Sequence, residues 1–127
     1  MGERQVAAAS ANLHIDADGV VHNVLTGAAV DLPDVHGWER AYATLSGGPP
    51  APVVVDIRAF TAVTASARKY AASAEHGAAI EAVALIVGSP VSRVIGNFWL
   101  GIDRPPYPAR LFTDPEAAQR WLVARRG

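Results

Sequence analysis

Four groups of side chains in this chain could do chemistry by type and spacing. His14, His22 and Asp16 come together if the residues around them form a hairpin with Asp16 opposite Val20. Two imidazoles and a carboxylate can hold a zinc ion. Nothing else supplies a closed shell, so a polar outer hairpin face is the better reading and no metal is assigned. Gly88-Ser89-Pro90-Val91-Ser92-Arg93 runs from a strand into a helix. A helix N-terminus offers N–H groups and partial positive charge to a phosphate or carboxylate, which makes Ser89, Ser92 and Arg93 candidate anion ligands. Ordinary capping competes, because Pro90 lacks an N–H and Ser89 is itself a good cap. Arg58 follows Asp56 at the carboxyl end of an apolar strand, where ligands of open α/β sheets bind. On an extended chain the two point to the same side, so a structural ion pair is the stronger reading. Ser66 lies beside Arg68 and Lys69. As a nucleophile it would need a base and an oxyanion hole, and no GxSxG surrounds it. As a phosphorylation site near a helix start it is easier to justify. No catalytic residue is assigned.

The elements that must position these groups are legible. Val53 to Ile57 and Ala82 to Val87 are nearly continuous apolar runs, as strands covered on both faces are. Between them Thr64 caps a helix from Ala65 to about Glu75, with Ala67, Tyr70, Ala71 and Ala74 inward and Gly77 as its stop. Ser89-Pro90 opens another, Val91 to about Ile102, whose core face is read as Val91, Val94, Ile95, Phe98 and Ile102. Trp99 and Leu100 are left at its border. Arg104-Pro105-Pro106-Tyr107-Pro108 is an extended connector. Ala109 to Phe112 is a short strand, and Thr113-Asp114-Pro115-Glu116 reads as a capping box opening a helix that buries Ala117, Ala118, Trp121 and Leu122. Upstream, Val6–Asp16 and Val20–Leu25 form the hairpin around Gly19, with Leu13, Ile15, Val21 and Leu25 on one face. Asp31 caps a helix with Val35, Trp38, Tyr42 and Leu45 on one side.

These elements give an α/β fold: a single domain over residues 1–127, a five-stranded mixed sheet with four helices, and residues 1–5 frayed. A chain of this length buries a core without staples, and it has no cysteine, so thiol chemistry, zinc–thiolate sites and disulfides drop out. Net charge is −1, which disfavours nucleic acid as a partner. No run is long and apolar enough to span a membrane, and the first residues do not read as a signal peptide. The expected location is the cytoplasm, and no cofactor is expected.

Val54-Val55-Asp56-Ile57-Arg58, Ala67-Arg68-Lys69-Tyr70, the stretch Ala82 to Phe98 and Pro108 to Asp114 together resemble a group of small, uncharacterised bacterial STAS-like proteins, in the manner of the anti-sigma-factor antagonists. The resemblance covers about residues 53–122. It implies a mixed sheet with helices packed on it, and a regulatory or protein-interaction module rather than an enzyme. Such antagonists are switched by phosphorylation of a serine in an Asp-Ser-Ser-Gly turn, ten residues after a strand-ending Asp. Ten residues after Asp56 stands Ser66, with Thr64, Ala65 and Ala67 where the motif has Asp, Ser and Gly. The alternative function is a small-ligand or lipid-binding domain with a pocket near Arg58, Ser89 and Arg93. An apolar surplus on the helix from Val91 predicts a homodimer, with Trp99, Leu100 and Tyr107 at the contact. The identity of a protein partner is not readable from the chain.

Overall fold

The computed structural model describes residues 5–7 and 9–126. One sheet runs through it in the order β1 (Gln5–Ala7), β2 (Ala11–Ile15), β3 (Val21–Leu25), β4 (Ala51–Asp56), β5 (Ile80–Ile86) and β6 (Ala109–Phe112). The first three strands pair antiparallel and the last three join in parallel, so the sheet is mixed as expected. The segment read as one strand from Val6 to Asp16 is two: Ala9 and Ser10 bend the chain, and Gln5–Ala7 adds a short edge strand. Of residues 1–5, read as frayed, 1–4 lie outside the described residues, and Gln5 is instead paired with His14 in β1.

The hairpin register follows from its apolar pattern. Ile15 faces Val21, His14 faces His22 and Leu13 faces Asn23, which sends Leu13, Val21 and Leu25 into the core. Asp16 fixes the turn: its carboxylate accepts from the N–H of Asp18 at 2.9 Å and of Val20 at 3.0 Å, while Gly19 takes φ +79°. A one-residue slip would turn every side chain over.

Among the described residues five helices complete the fold: α1 (Leu32–Ser46), α2 (Ala65–Ala71), α3 (Ala74–Gly77), α4 (Pro90–Phe98) and α5 (Pro115–Arg126), with a π-helical turn at Trp99–Asp103. Asp31 and Asp34 form the capping box of α1, and Gly47 ends it in the left-handed conformation. The helix read as continuous from Ala65 to Glu75 breaks at Ala72, because Ser73 caps a new turn by accepting from His76 N–H at 3.1 Å. The cap of α5 is the aspartate rather than the threonine of its box: Asp114 accepts from Glu116 N–H at 3.1 Å.

Alternation along β4 and β5 splits the core in two. Val53, Val83, Leu85 and Val87 face α1, α2 and α4 with Trp38, Tyr42, Ala67 and Trp99. Val54, Ala82, Ala84 and Ile86 face α5, where Ala118 and Leu122 are buried and Trp121 and Phe112 are half-buried. The alanines of β5 let α5 lie close on the sheet.

Candidate functional site

Helix α4 decides which surfaces are available: of the five residues read as its core face, Ile95 packs against the core and the other four point outward. Val91, Val94, Phe98 and Ile102 are 52%, 71%, 41% and 67% exposed, whereas Trp99 and Tyr107 are 8% and 9% exposed. Ser92 and Gly96 make the inward face. A Cβ on Gly96 would lie 3.0 Å from Leu111, 3.2 Å from Val87 and 3.3 Å from Leu85, so the bare backbone lets α4 sit this close to the sheet without displacing those side chains. Small residues four apart were the signal for the buried face; the larger apolar residues drew attention to the wrong one. The assignment of Trp99 and Tyr107 to a surface contact is therefore corrected: both are core. Leu100 is half-buried against the same cluster.

The outward stripe of Val91, Val94, Phe98 and Ile102 continues across a shallow apolar groove to Phe60, in the loop after β4. Contiguous exposed apolar side chains of this kind mark contact surfaces. Behind the stripe, Arg68 of α2 reaches across to the π turn. Its Nε donates to Asp103 Oδ2 at 2.6 Å, and its guanidinium lies 4.6 Å from the centre of the Phe98 ring.

The four sequence candidates meet different fates. Arg58 grips Asp56 with two nitrogens, Nε at 3.0 Å and Nη2 at 2.7 Å. Burial pushes the Asp56 carboxyl up, but the hydrogen bonds and charge of Arg58 outweigh it and hold it below its ordinary value. At the start of α4, Ser92 is fully buried and its hydroxyl accepts from the N–H of Gly88 at 3.0 Å and of Ser89 at 2.9 Å. Ser89 in turn accepts from Ser92 N–H at 3.0 Å. These N–H groups are turned inward onto serines, so the junction is a self-satisfied capping box that leaves few donors for an anion. Arg93 lies apart, in a depression with Asn97, Thr113 and Asp114. That depression is lined by neither Arg58 nor Ser89.

Ser66 is exposed in the first turn of α2, its Oγ 3.2 Å from Thr64 Oγ1, which donates to Asp31 Oδ1 at 2.9 Å. His14 and His22 stack with parallel rings 4.8 Å apart, a geometry in which their nitrogens do not point at a common ion. His22 instead pairs with Asp16 at 2.8 Å, and Gln119 of α5 adds a bond at 2.8 Å. Burial raises the Asp16 carboxyl, but His22, Gln119 and two backbone N–H groups together hold it below its ordinary value. Among the described residues no group of three or more His, Cys, Asp or Glu could hold a metal ion.

A cluster that the sequence reading did not anticipate joins α1 to α2 and α3. Glu39 Oε1 accepts from Tyr70 Oη at 2.7 Å and is 3.1 Å from Nδ1 of buried His76. Burial pushes His76 below its ordinary value despite the nearby carboxylate. The Glu39 contact pushes Tyr70 up to about 12. His36 packs on Tyr70 with its ring tilted by 45°, 4.3 Å between ring centres. Between this cluster and the sheet lies a cavity of about 100 Å³, walled by α1, α2, α4 and the inner sheet face.

Comparison with known proteins places this geometry. A crystal structure of an uncharacterized protein from the DUF3478 family of Shewanella loihica PV-4, described as having a SpoIIAA-like fold, superposes with a TM-score of 0.54. The two are 15% identical, and the match covers 95% of this chain and 92% of that one. At that identity the likeness is one of fold, and the fold is SpoIIAA-like, that is STAS-like. Among curated proteins none matches. Residues 13–125 match the family described as Domain of unknown function (DUF7793), and the chain belongs to that family.

Proposed function

We propose that the protein is a non-enzymatic regulatory module that acts by protein–protein contact, and that its first contact is with a second copy of itself through the outer face of α4. The observation that carries this is the exposure of Val94 and Ile102, at 71% and 67%, in line with Val91 and Phe98. Four apolar side chains on one helix face lose about 25 cal/mol of stabilisation per Å² left in water. A two-fold contact buries the same stripe twice, and a chain of net charge −1 hardly repels its copy. Ser66, exposed beside Thr64 at the start of α2, would serve as the point at which phosphorylation modulates the contact. The fold family supports a binding role and supplies no partner.

Sedimentation velocity at micromolar concentration tests the reading. The parent should sediment at about twice the chain mass, and Val94→Asp and Phe98→Ser should return it to monomer with an unchanged circular dichroism spectrum. A monomeric parent, or a dimer indifferent to both substitutions, would overturn self-association through this face.

A further inference from the structure

We propose that the cationic and aromatic patch between β6 and the last turns of α5 is a docking surface for an acidic segment of a partner protein. Arg110 and Arg125 take its carboxylates, and Phe112 and Trp121 take its apolar side chains. The four residues form one row across two elements. Arg110 lies over the Phe112 ring, 5.3 Å from its centre, and Arg125, one turn after Trp121, lies over the indole at 5.3 Å. The two rings meet at 5.6 Å, tilted by 48°. Both arginines are exposed and both rings are half-buried. Neither guanidinium has a carboxylate partner among the described residues, whereas Arg58, Arg68 and Arg126 each have one. A ring beneath a guanidinium restrains it and leaves its N–H edge free for a carboxylate.

The surroundings leave this charge uncompensated. Arg126 at the end of α5 reaches Glu81 near the start of β5 at 3.7 Å, so the helix runs back against the strand direction. Arg110 and Arg125 therefore lie toward one end of the patch, and Asp114 and Glu116, at the start of α5, lie toward the other. Asp16 and Asp18 bond Gln119 and so sit on the flank of α5 that faces the hairpin, away from β6. Among the described residues β6 has β5 as its one strand neighbour, so a partner can approach from the open side. Arginine and large aromatic side chains concentrate binding energy at protein interfaces, and two unpaired cations select a negatively charged partner. A chain net charge of −1 and the two acids at the helix start disfavour a phosphate backbone in that place. The patch lies on the opposite face of the sheet from α4 and can stand if self-association fails.

The test uses two blocked peptides, Glu-Leu-Glu-Glu-Leu-Glu and Gln-Leu-Gln-Gln-Leu-Gln, titrated into the full ¹⁵N-labelled chain. The indole N–H signal of Trp121 is assigned with Trp121→Phe. The acidic peptide should shift that signal with saturation and leave those of buried Trp38 and Trp99 in place. It should bind at least about tenfold tighter than the glutamine peptide, as charge-assisted hydrogen bonds to two arginines require. Arg110→Gln combined with Arg125→Gln should remove the difference between the peptides with an unchanged circular dichroism spectrum. Val94→Asp should leave the difference intact. No saturable shift at Trp121 overturns the surface. Equal affinity for the two peptides, or a preference that survives the double substitution, overturns the assigned arginines. Loss of binding in Val94→Asp would place the contact on α4 and overturn it here. An oligothymidylate that displaces the acidic peptide at lower concentration overturns a protein as the occupant.

Discussion

Arg68 Nε stands 2.6 Å from Asp103 Oδ2, and this bond ties α2 to the turn that follows α4. The Arg68 and Asp103 side chains are only 17% and 5% exposed, so the pair is shielded from salt and water. Removing one partner of a buried pair leaves the other charge stranded. Asp103→Ala should therefore lower stability by about 2–3 kcal/mol, and Arg68→Met by a comparable amount. Exchanging both for apolar residues should recover part of the loss. Urea denaturation of the three variants measures this; additive losses in the double variant would contradict a direct pair.

His76 predicts how stability depends on pH. Its folded value lies below 6.5 because burial disfavours the charged ring. Between that folded value and 6.5 the unfolded chain binds the extra proton, so stability is full above pH 6.5 and falls as the pH drops through the window. One proton gives a slope of at most about 1.4 kcal/mol per pH unit. Asp16 and Asp56, both lowered from 3.8, act in the same direction but only at more acid pH, so the two windows separate. Denaturation midpoints from pH 4.5 to 8 should show the histidine slope in the parent and lose it in His76→Gln. A slope unchanged by that substitution would mean another group carries it.

Much of the fold was legible because local rules and tertiary packing agree. The hairpin turn at Gly19, the hairpin register and the Asp31 cap of α1 all follow from side-chain parity and turn chemistry. The site was less legible. The stripe Val91, Val94, Phe98, Ile102 has helical periodicity, and periodicity alone says only that a helix has an apolar face. The choice of inward face is made by steric closeness at Gly96 and by Trp99 filling the space one turn on, which are properties of the sheet opposite. The Glu39–Tyr70–His76 cluster and the Arg68–Asp103 bond join residues 31 to 37 positions apart, beyond any local pattern. Arg58 and Asp56, two residues apart, could be paired from the sequence, though β4 ends at Asp56 and the pair closes over a turn in which the Arg58 N–H also donates to Asp56 Oδ1 at 3.0 Å.

Ser66 should tolerate a negative charge. Its hydroxyl faces solvent at a helix start, where the peptide dipoles favour an anion, while Asp31 across Thr64 opposes it. Arg68 is held by Asp103, and residues two apart on a helix do not face each other, so Lys69 is the cation within reach. Ser66→Asp should change stability by no more than about 0.5 kcal/mol. If Ser66 modulates association, Ser66→Asp should shift the sedimentation equilibrium relative to Ser66→Ala. Superimposable profiles for both variants and the parent would remove Ser66 from the mechanism.

Gly96 separates the two faces of α4 experimentally. Leu111, Val87 and Leu85 stand 3.0, 3.2 and 3.3 Å from where its side chain would begin. An alanine there needs its neighbours to yield by tenths of an ångström, and its better helix propensity, worth about 1 kcal/mol, offsets part of the strain. A valine adds two methyl groups with no room for either. Gly96→Val should destabilise by about 2–3 kcal/mol through overpacking, and by lifting α4 it should also move Trp99 away from the cavity wall. Val94→Ala, two residues earlier and 71% exposed, should change monomer stability by no more than about 0.5 kcal/mol. Urea melts recorded at submicromolar concentration, with Trp fluorescence as the probe, keep self-association out of the comparison. The opposite ranking, with Val94→Ala the more damaging, would mean that the apolar stripe packs inward and that α4 is rotated by about half a turn from the arrangement described.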